Sequence, residues 1–391
     1  MQQALIYRPS TNNLQLLPVT VKMNMQSDFK PKRFRAKTIA PLLFFIVLSA
    51  CSHAQSPSTE QFSFSAYGEM YYSYDFSEPP NHEKPAFLYN HKRHNEMNAN
   101  LLLVKGAYQN EKFRGKLGIM AGNYPQYNLK PEPVWAQFIY EASLGVRLSR
   151  KNNLWLDAGI MPSHIGFEGA VSADCWTLTR SLVAENSPYY SAGVRVSYTT
   201  ANGKFHTSAW LLNGWQRIQK PDGMQQPSFG LQATYRPNEV LTINYSNFLG
   251  TALPDSLRSF RHYHNFYLMY QYGNWGITAG LDIGHESIRA LNKVGTWFSP
   301  VLILRREINS KTRMALRGEY YGDRNQIIIA TGTPNGFQTG GLSLNIDRDI
   351  DERMRFRIEG KAYDSRDAIF REGKNRNYSV TTNLTLRIGA L

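Results

Sequence analysis

Cysteine is almost absent: of 391 residues only Cys51 and Cys175 carry a thiol. Cys51 falls in an N-terminal stretch expected to be removed, and the single thiol left forms no internal disulfide framework. Long apolar runs are missing too. Beyond residues 40–50 nothing approaches the roughly 20 apolar residues of a spanning helix, and the mean hydropathy is −0.43. No Gly-x-Ser-x-Gly or His-Glu-x-x-His occurs, so neither a nucleophile elbow nor a zinc-protease helix is indicated. Ser or Thr meets His only at Ser52-His53, Ser163-His164 and His206-Thr207. An enzyme would then need a Ser and a His brought together across adjacent strands, and no enzymatic activity is expected. Lys and Arg do not cluster on a helix, which argues against nucleic acid.

What is present begins with an export signal. Lys30, Lys32, Arg33, Arg35 and Lys37 precede the apolar run Ala40-Pro-Leu-Leu-Phe-Phe-Ile-Val-Leu-Ser-Ala, a basic n-region followed by an h-region. Met23 or Met25 could serve as the start. Ser52-His53-Ala54 predicts cleavage before Gln55, while Leu48-Ser49-Ala50-Cys51 resembles a lipoprotein site. Cleavage before Gln55 is preferred, because a barrel held by its wall gains little from one acyl attachment. The expected division is therefore a leader, 1–54, and one domain, 55–391. The chain has 44 Lys and Arg against 30 Asp and Glu; seven of the former and one of the latter lie in the leader, leaving an excess of eight.

The domain alternates. Arg353, Arg355, Arg357, Glu359 and Lys361 interleave with Met354, Phe356, Ile358, Gly360 and Ala362. A strand sends successive side chains to opposite faces, so one face here is charged and the other apolar. Near the start, Phe62, Phe64, Ala66, Met70, Tyr72 and Tyr74 oppose Ser63, Ser65, Glu69, Ser73 and Asp75. Similar segments recur near 95–109, 112–124, 136–148, 153–162, 188–199, 204–216, 227–236, 239–249, 262–272, 274–286, 295–306, 312–322, 337–346, 353–364 and 376–388. With the first, at 62–75, they make sixteen. Connectors rich in Asn, Gly, Asp and Pro, such as Arg236-Pro-Asn-Glu239 and Tyr272-Gly-Asn274, take turns with long ones near 76–94, 125–135, 163–187, 217–226, 250–261, 287–294, 323–336 and 365–375. Short periplasmic turns, long outer loops, dyad alternation and 23 Tyr for interfacial girdles predict an all-β fold: a transmembrane, antiparallel, up-and-down β-barrel of about sixteen strands. An even count places both termini on the short-turn side, and the last strand must pair with the first.

Several strings carry a family resemblance: Asp75-Phe-Ser-Glu-Pro-Pro-Asn-His82, Pro85-Ala-Phe-Leu-Tyr-Asn-His-Lys-Arg-His-Asn-Glu96, Asn153-Leu-Trp-Leu-Asp-Ala-Gly-Ile160, Pro162-Ser-His-Ile-Gly-Phe-Glu168, Trp176-Thr-Leu-Thr-Arg-Ser181 and Ala184-Glu-Asn-Ser-Pro-Tyr-Tyr190. As a set the chain resembles the β-barrel porin-2 (OmpL-like) family of Gram-negative outer membranes, in the form common among Bacteroidetes. The resemblance spans essentially all of the domain and implies an outer-membrane barrel that conducts solutes. It brings no catalytic signature.

Facing the lumen, the alternation predicts Arg313, Arg317, Glu319, Arg353, Arg355, Arg357, Glu359, Lys361, Asn383, Thr385 and Arg387. Such a ladder in water should favour anions. The longest outer connector, with His164, Glu168, Asp174, Trp176, Arg180 and Glu185, is the candidate for a loop folded inward as a constriction, its carboxylates facing the ladder. His82, His91 and His94 are spaced for no strand face, and Asp347-Arg-Asp-Ile-Asp351 lacks the Gly of a Ca²⁺ loop at its sixth position, where Glu352 stands. No metal or cofactor is expected. The expected partners are outer-membrane lipid, small hydrophilic solutes or ions, and two further copies in a homotrimer. The alternatives are a plugged barrel whose outer loops bind glycan or a protein, and a soluble periplasmic β-protein.

Overall fold

A computed structural model describes residues 60–389. The predicted leader and both of its processing sites, before Gln55 and at Cys51, lie outside the described residues. Along the described chain run sixteen strands: β1 (Gln61–Asp75), β2 (Met97–Gln109), β3 (Phe113–Ala121), β4 (Ile139–Arg147), β5 (Asn153–Pro162), β6 (Tyr190–Thr199), β7 (Phe205–Leu212), β8 (Ser228–Tyr235), β9 (Leu241–Gly250), β10 (Ser259–Tyr272), β11 (Trp275–Ile288), β12 (Lys293–Asn309), β13 (Thr312–Asp323), β14 (Phe337–Asp349), β15 (Met354–Ser365) and β16 (Arg376–Ile388). Each pairs antiparallel with its sequence neighbours, and β1 pairs with β16 to close the barrel.

Closure leaves no sheet edge, as a wall surrounded by lipid requires. The closing register runs from Ala66↔Ile388 to Asp75↔Ser379. It is reinforced inside by Ser73 Oγ to Thr381 Oγ1 at 2.8 Å and by Asn383 Nδ2 donating to Glu69 Oε1 at 2.6 Å. Polarity is inverted relative to a globular domain. Leu302, Leu304, Leu316, Leu344 and Phe356 are exposed outward, while Ser299, Arg317, Asn345, Arg357 and Thr381 are buried inward. Apolar residues do reach the interior in places: Met161, Leu182, Trp210, Phe248, Trp297 and Phe337 form one cluster there.

One end carries the short turns, among them 273–274 and 310–311, and the other carries 76–96, 122–138, 163–189, 213–227 and 324–336. The boundaries follow local chemistry. β3 stops at Ala121 rather than near 124 because Gly122 takes φ 116° and starts the short helix Asn123–Asn128. A Cβ at Gly122 would stand 2.6 Å from Asn100 O. The loop expected at 287–294 shrinks to 289–292, since β11 and β12 keep pairing out to Ile288↔Lys293.

Leu302 lies near the middle of β12, between Ala279 and Gly318, with its side chain outward. Replacing it with Arg is expected to destabilise the barrel in bilayers by about 2–4 kcal/mol. Urea unfolding in lipid vesicles measures this, and a change within error would place that face away from lipid.

Candidate functional site

Both limbs of the connector between β5 and β6 lie inside the barrel. Its base is closed by Ser163 N–H donating to Tyr189 O at 3.0 Å. Its tip reaches the short-turn end, where Arg387 Nη2 donates to Asp174 Oδ1 at 2.6 Å and Arg355 Nη1 to Ala173 O at 3.3 Å. The returning limb climbs the inner face of β15. Arg357 donates to Ser172 O at 2.6 Å and Cys175 O at 3.0 Å, and Glu359 accepts the Thr179 N–H at 2.6 Å and its hydroxyl at 2.8 Å. Lys361 then donates to Arg180 O at 2.9 Å, and Glu319 of β13 accepts the Leu182 N–H. Strand charges alternating in sign thus meet backbone carbonyls and amides in matching order.

These charges are dehydrated. Arg317 and Arg357 have no exposed surface, and Glu359 is 1 % exposed. Arg317 reaches Thr177 Oγ1 and Thr179 O, each at 2.8 Å, Glu359 at 2.8 Å and Glu168 at 3.5 Å. Ions taken from water need complete pairing or they destabilise strongly, so the segment and the wall behind it depend on each other. Arg180 spends its guanidinium on the segment itself, donating to Gly169 O at 2.6 Å, Leu178 O at 2.7 Å and Ala170 O at 2.8 Å.

The other flank rests on ring-into-notch packing. His164, Phe167 and Trp176 occupy the space where Gly230, Gly280 and Gly276 would carry a Cβ, at 2.4, 2.8 and 2.6 Å. His164 also stacks on Trp210 and has Nε2 2.8 Å from Asn247 O. Burial, with Arg195 nearby, holds the His164 ring down at about 4, against 6.5 for a free imidazole. Sequence reasoning missed these notches. The signal was there: Gly276, Gly280 and Gly284 share one face of β11 by parity, four residues apart.

Of the predicted lumen residues, Arg317, Glu319, Arg357, Glu359 and Lys361 face inward but are buried against the segment, not open to water. The expectation of a hydrated ladder is corrected there: strand parity identifies the face, not what fills the space before it. Arg313 and Arg355 are part-exposed and share Asp349, at 2.5 and 2.6 Å. Arg353 is not in the strand. Asp351 accepts the Arg353 and Met354 N–H groups at 2.8 and 2.7 Å, holding a turn that delays β15 to Met354 and leaves Arg353 exposed. Asp347 instead pairs with Arg357 at 2.7 Å. Within the segment, Glu168 accepts from Ser181 N–H at 2.9 Å, Trp176 lies 5.4 Å from the Arg305 guanidinium, and Asp174 stays exposed. Glu185 faces away from the ladder, accepting the Tyr89 and Asn90 N–H groups at 2.7 and 3.1 Å. Burial raises its carboxyl above the usual range.

Glu185 thereby docks a second inserted connector, 76–96. His91 Nε2 stands 2.7 Å from Glu69, both fully buried, and His94 Nδ1 accepts the Asp75 N–H at 2.9 Å. Each imidazole has its own partner, and among the described residues no three His, Cys, Asp or Glu gather as metal ligands.

The short-turn mouth is wetter and more basic. Facing inward on β2–β6 are Lys105 and Lys116 about Glu141, at 3.2 and 3.5 Å, and Arg114 and Arg195 about Asp157, at 2.6 and 2.9 Å. Arg147 has no carboxylate among the described residues. Across the lumen, Arg305, Arg313 and Arg355 share Glu307 and Asp349.

Two outcomes follow. Glu359→Ala leaves Arg317 buried with its closest carboxylate gone, a loss of roughly 3–5 kcal/mol. If that loss falls on the seated segment, maleimide labelling of the buried Cys175 should accelerate by about a hundredfold or more; unchanged labelling would show that the segment does not depend on the rail. Acid should loosen the same seat. The depressed His164 value leaves the seat intact above the ordinary imidazole value and weakens it as pH falls from 6.5 towards about 4. Hydrogen exchange across 163–187, corrected for intrinsic rate, should rise over that window in the native protein and less in His164→Gln.

Similarity to known proteins agrees with this architecture. The anion-selective porin from Comamonas acidovorans superposes with TM-score 0.57 at 8% identity, over 84% of this chain and 100% of that one. The outer membrane channel DcaP of Acinetobacter baumannii gives 0.56 at 10%, over 86% and 99%. The trimer form of OmpT from Vibrio cholerae gives 0.55 at 10%, over 84% and 100%. At such identities the likeness shows the fold alone. No curated protein matches the sequence. Residues 61–390 match the family described as "Putative beta-barrel porin-2, OmpL-like", which points to a channel rather than an enzyme. The chain belongs to that family of outer-membrane β-barrel porins.

Proposed function

We infer that the protein passes small hydrophilic solutes by diffusion across the outer membrane, with a preference for anions. Short turns face the periplasm, and the 163–187 segment narrows the lumen. The observation that carries the preference is the charge at the short-turn mouth: Arg114, Lys116, Arg195, Arg305 and Arg355 are part-exposed inside it, while Asp157 and Glu141 are each shared by two cations. A mouth with a net excess of one sign, walled by low-dielectric protein, concentrates counter-ions. The buried rail contributes little to the field, because Glu319, Glu359, Glu168 and Asp347 offset its cations. A homotrimer, as in the trimer form of Vibrio cholerae OmpT, is the assembly we propose.

A plugged barrel that binds a glycan or a protein through its outer loops is the second reading, favoured by the complete burial of Leu178, Arg180, Ser181 and Leu182 within the lumen. Current decides between them. In a planar bilayer under a KCl gradient, the refolded protein is expected to conduct steadily with a reversal potential favouring chloride. A preference for potassium would overturn the electrostatics. Silence from a barrel that is folded by heat-dependent gel mobility would bring the plugged reading forward.

A further inference from the structure

The cationic excess at the mouth is concentrated on one wall. Among the described residues, the five cations Lys105, Arg114, Lys116, Arg147 and Arg195 on β2–β6 have only Glu141 and Asp157 as carboxylate partners, and Arg147 pairs with neither. On the facing wall the three arginines already share two carboxylates, and Arg387 holds Asp174.

The β2–β6 wall also holds unused donors. Asp157 takes Nε and Nη2 of both Arg114 and Arg195, and the Nη1 group of each donates to nothing among the described residues. Arg147 donates none of its side-chain N–H groups there, and its Nε is buried without a partner. It is placed to join the pair: Arg147 lies opposite Trp155 across β4 and β5, and the Arg114 guanidinium sits 4.4 Å over the Trp155 ring. Arg195 is held likewise, 5.0 Å over Trp210. Two aromatic plates and a shared carboxylate therefore fix guanidinium groups whose remaining N–H bonds are free. Such forks match the paired oxygens of phosphate or carboxylate. Attraction to an excess of this size grows with the charge of the guest.

We propose that the inner wall of β2–β6 at the short-turn mouth, centred on Arg114, Arg147 and Arg195 with Lys116 beside them, is a binding site for polyvalent oxyanions. The class includes phosphorylated and polycarboxylate solutes, which pause there on the way through. The site rests on the anion-preferring reading and sharpens it.

Inorganic pyrophosphate is the probe. Added on the short-turn side of the conducting full chain, it should reduce chloride current reversibly and with saturation. Arg147→Gln combined with Lys116→Gln should raise the half-blocking concentration at least about tenfold, whereas Arg305→Gln on the facing wall should move it less than about twofold. Titration calorimetry on the folded barrel in detergent reads the same site without current, with binding heat expected from the native protein and lost in the double variant. Chloride-selective current that pyrophosphate leaves untouched, or a block weakened equally by Arg305→Gln, overturns the site and leaves the anion reading standing. Potassium-selective current overturns the anion reading, and the site then stands or falls by calorimetry.

Discussion

Dehydrated charge on the inner face of β15 is the constraint on which the rest of this structure depends. An Arg or Glu facing a water-filled barrel costs almost nothing, but one covered by protein must be matched by charge and hydrogen bonds or it is strongly destabilising. Here the cover brings the hydrogen bonds, and wall carboxylates Glu319, Asp347 and Glu359 bring most of the opposite charge. As the segment rises past them, Arg357 meets two of its carbonyls, Glu359 an amide and a hydroxyl, and Lys361 a carbonyl, while Lys361 also pairs with Glu319 of β13. The order of charges along the strand and the direction of the peptide groups along the segment select one seating.

That seating redistributes the electrostatics. With the rail neutralised, the field is left to the mouth, where cations are paired incompletely and remain part-hydrated. In the proposed function the segment sets the width of the path and the mouth sets its sign. The histidines add a condition: His94 accepts from Asp75 N–H only in neutral form, while His164 donates to Asn247 O and is held neutral by its burial.

The barrel was legible in the sequence for a physical reason. A wall between lipid and interior forces a period of two on every strand, and the turn residues mark its short end. All sixteen strands lie close to their predicted positions, and the departures have local causes, such as the positive φ of Gly122 after β3 and the Asp351 turn before Met354. The site was legible by half. Parity placed Arg317, Arg357 and Lys361 inside, yet it cannot say whether water or protein stands opposite. The inward fold of residues 163–187 was suggested by length; its seating was not, because Gly276 and Gly280 mark it only once β11 is known to face Trp176 and Phe167. Arg114, Lys116 and Arg147 follow strand parity too, but Gly115, Gly118 and Gly145 dilute the alternation of β3 and β4, which is weaker than in the last four strands.

If the proposed function holds, the segment stays seated while current flows. Cysteines at positions 174 and 387, where Asp174 and Arg387 now pair, can be joined by a short bis-maleimide in a Cys175→Ser background, and current recorded before and after. Efficient cross-linking with conductance largely retained is the expected result. A cross-link that fails to form in the conducting protein, or one that forms and abolishes the current, would contradict it.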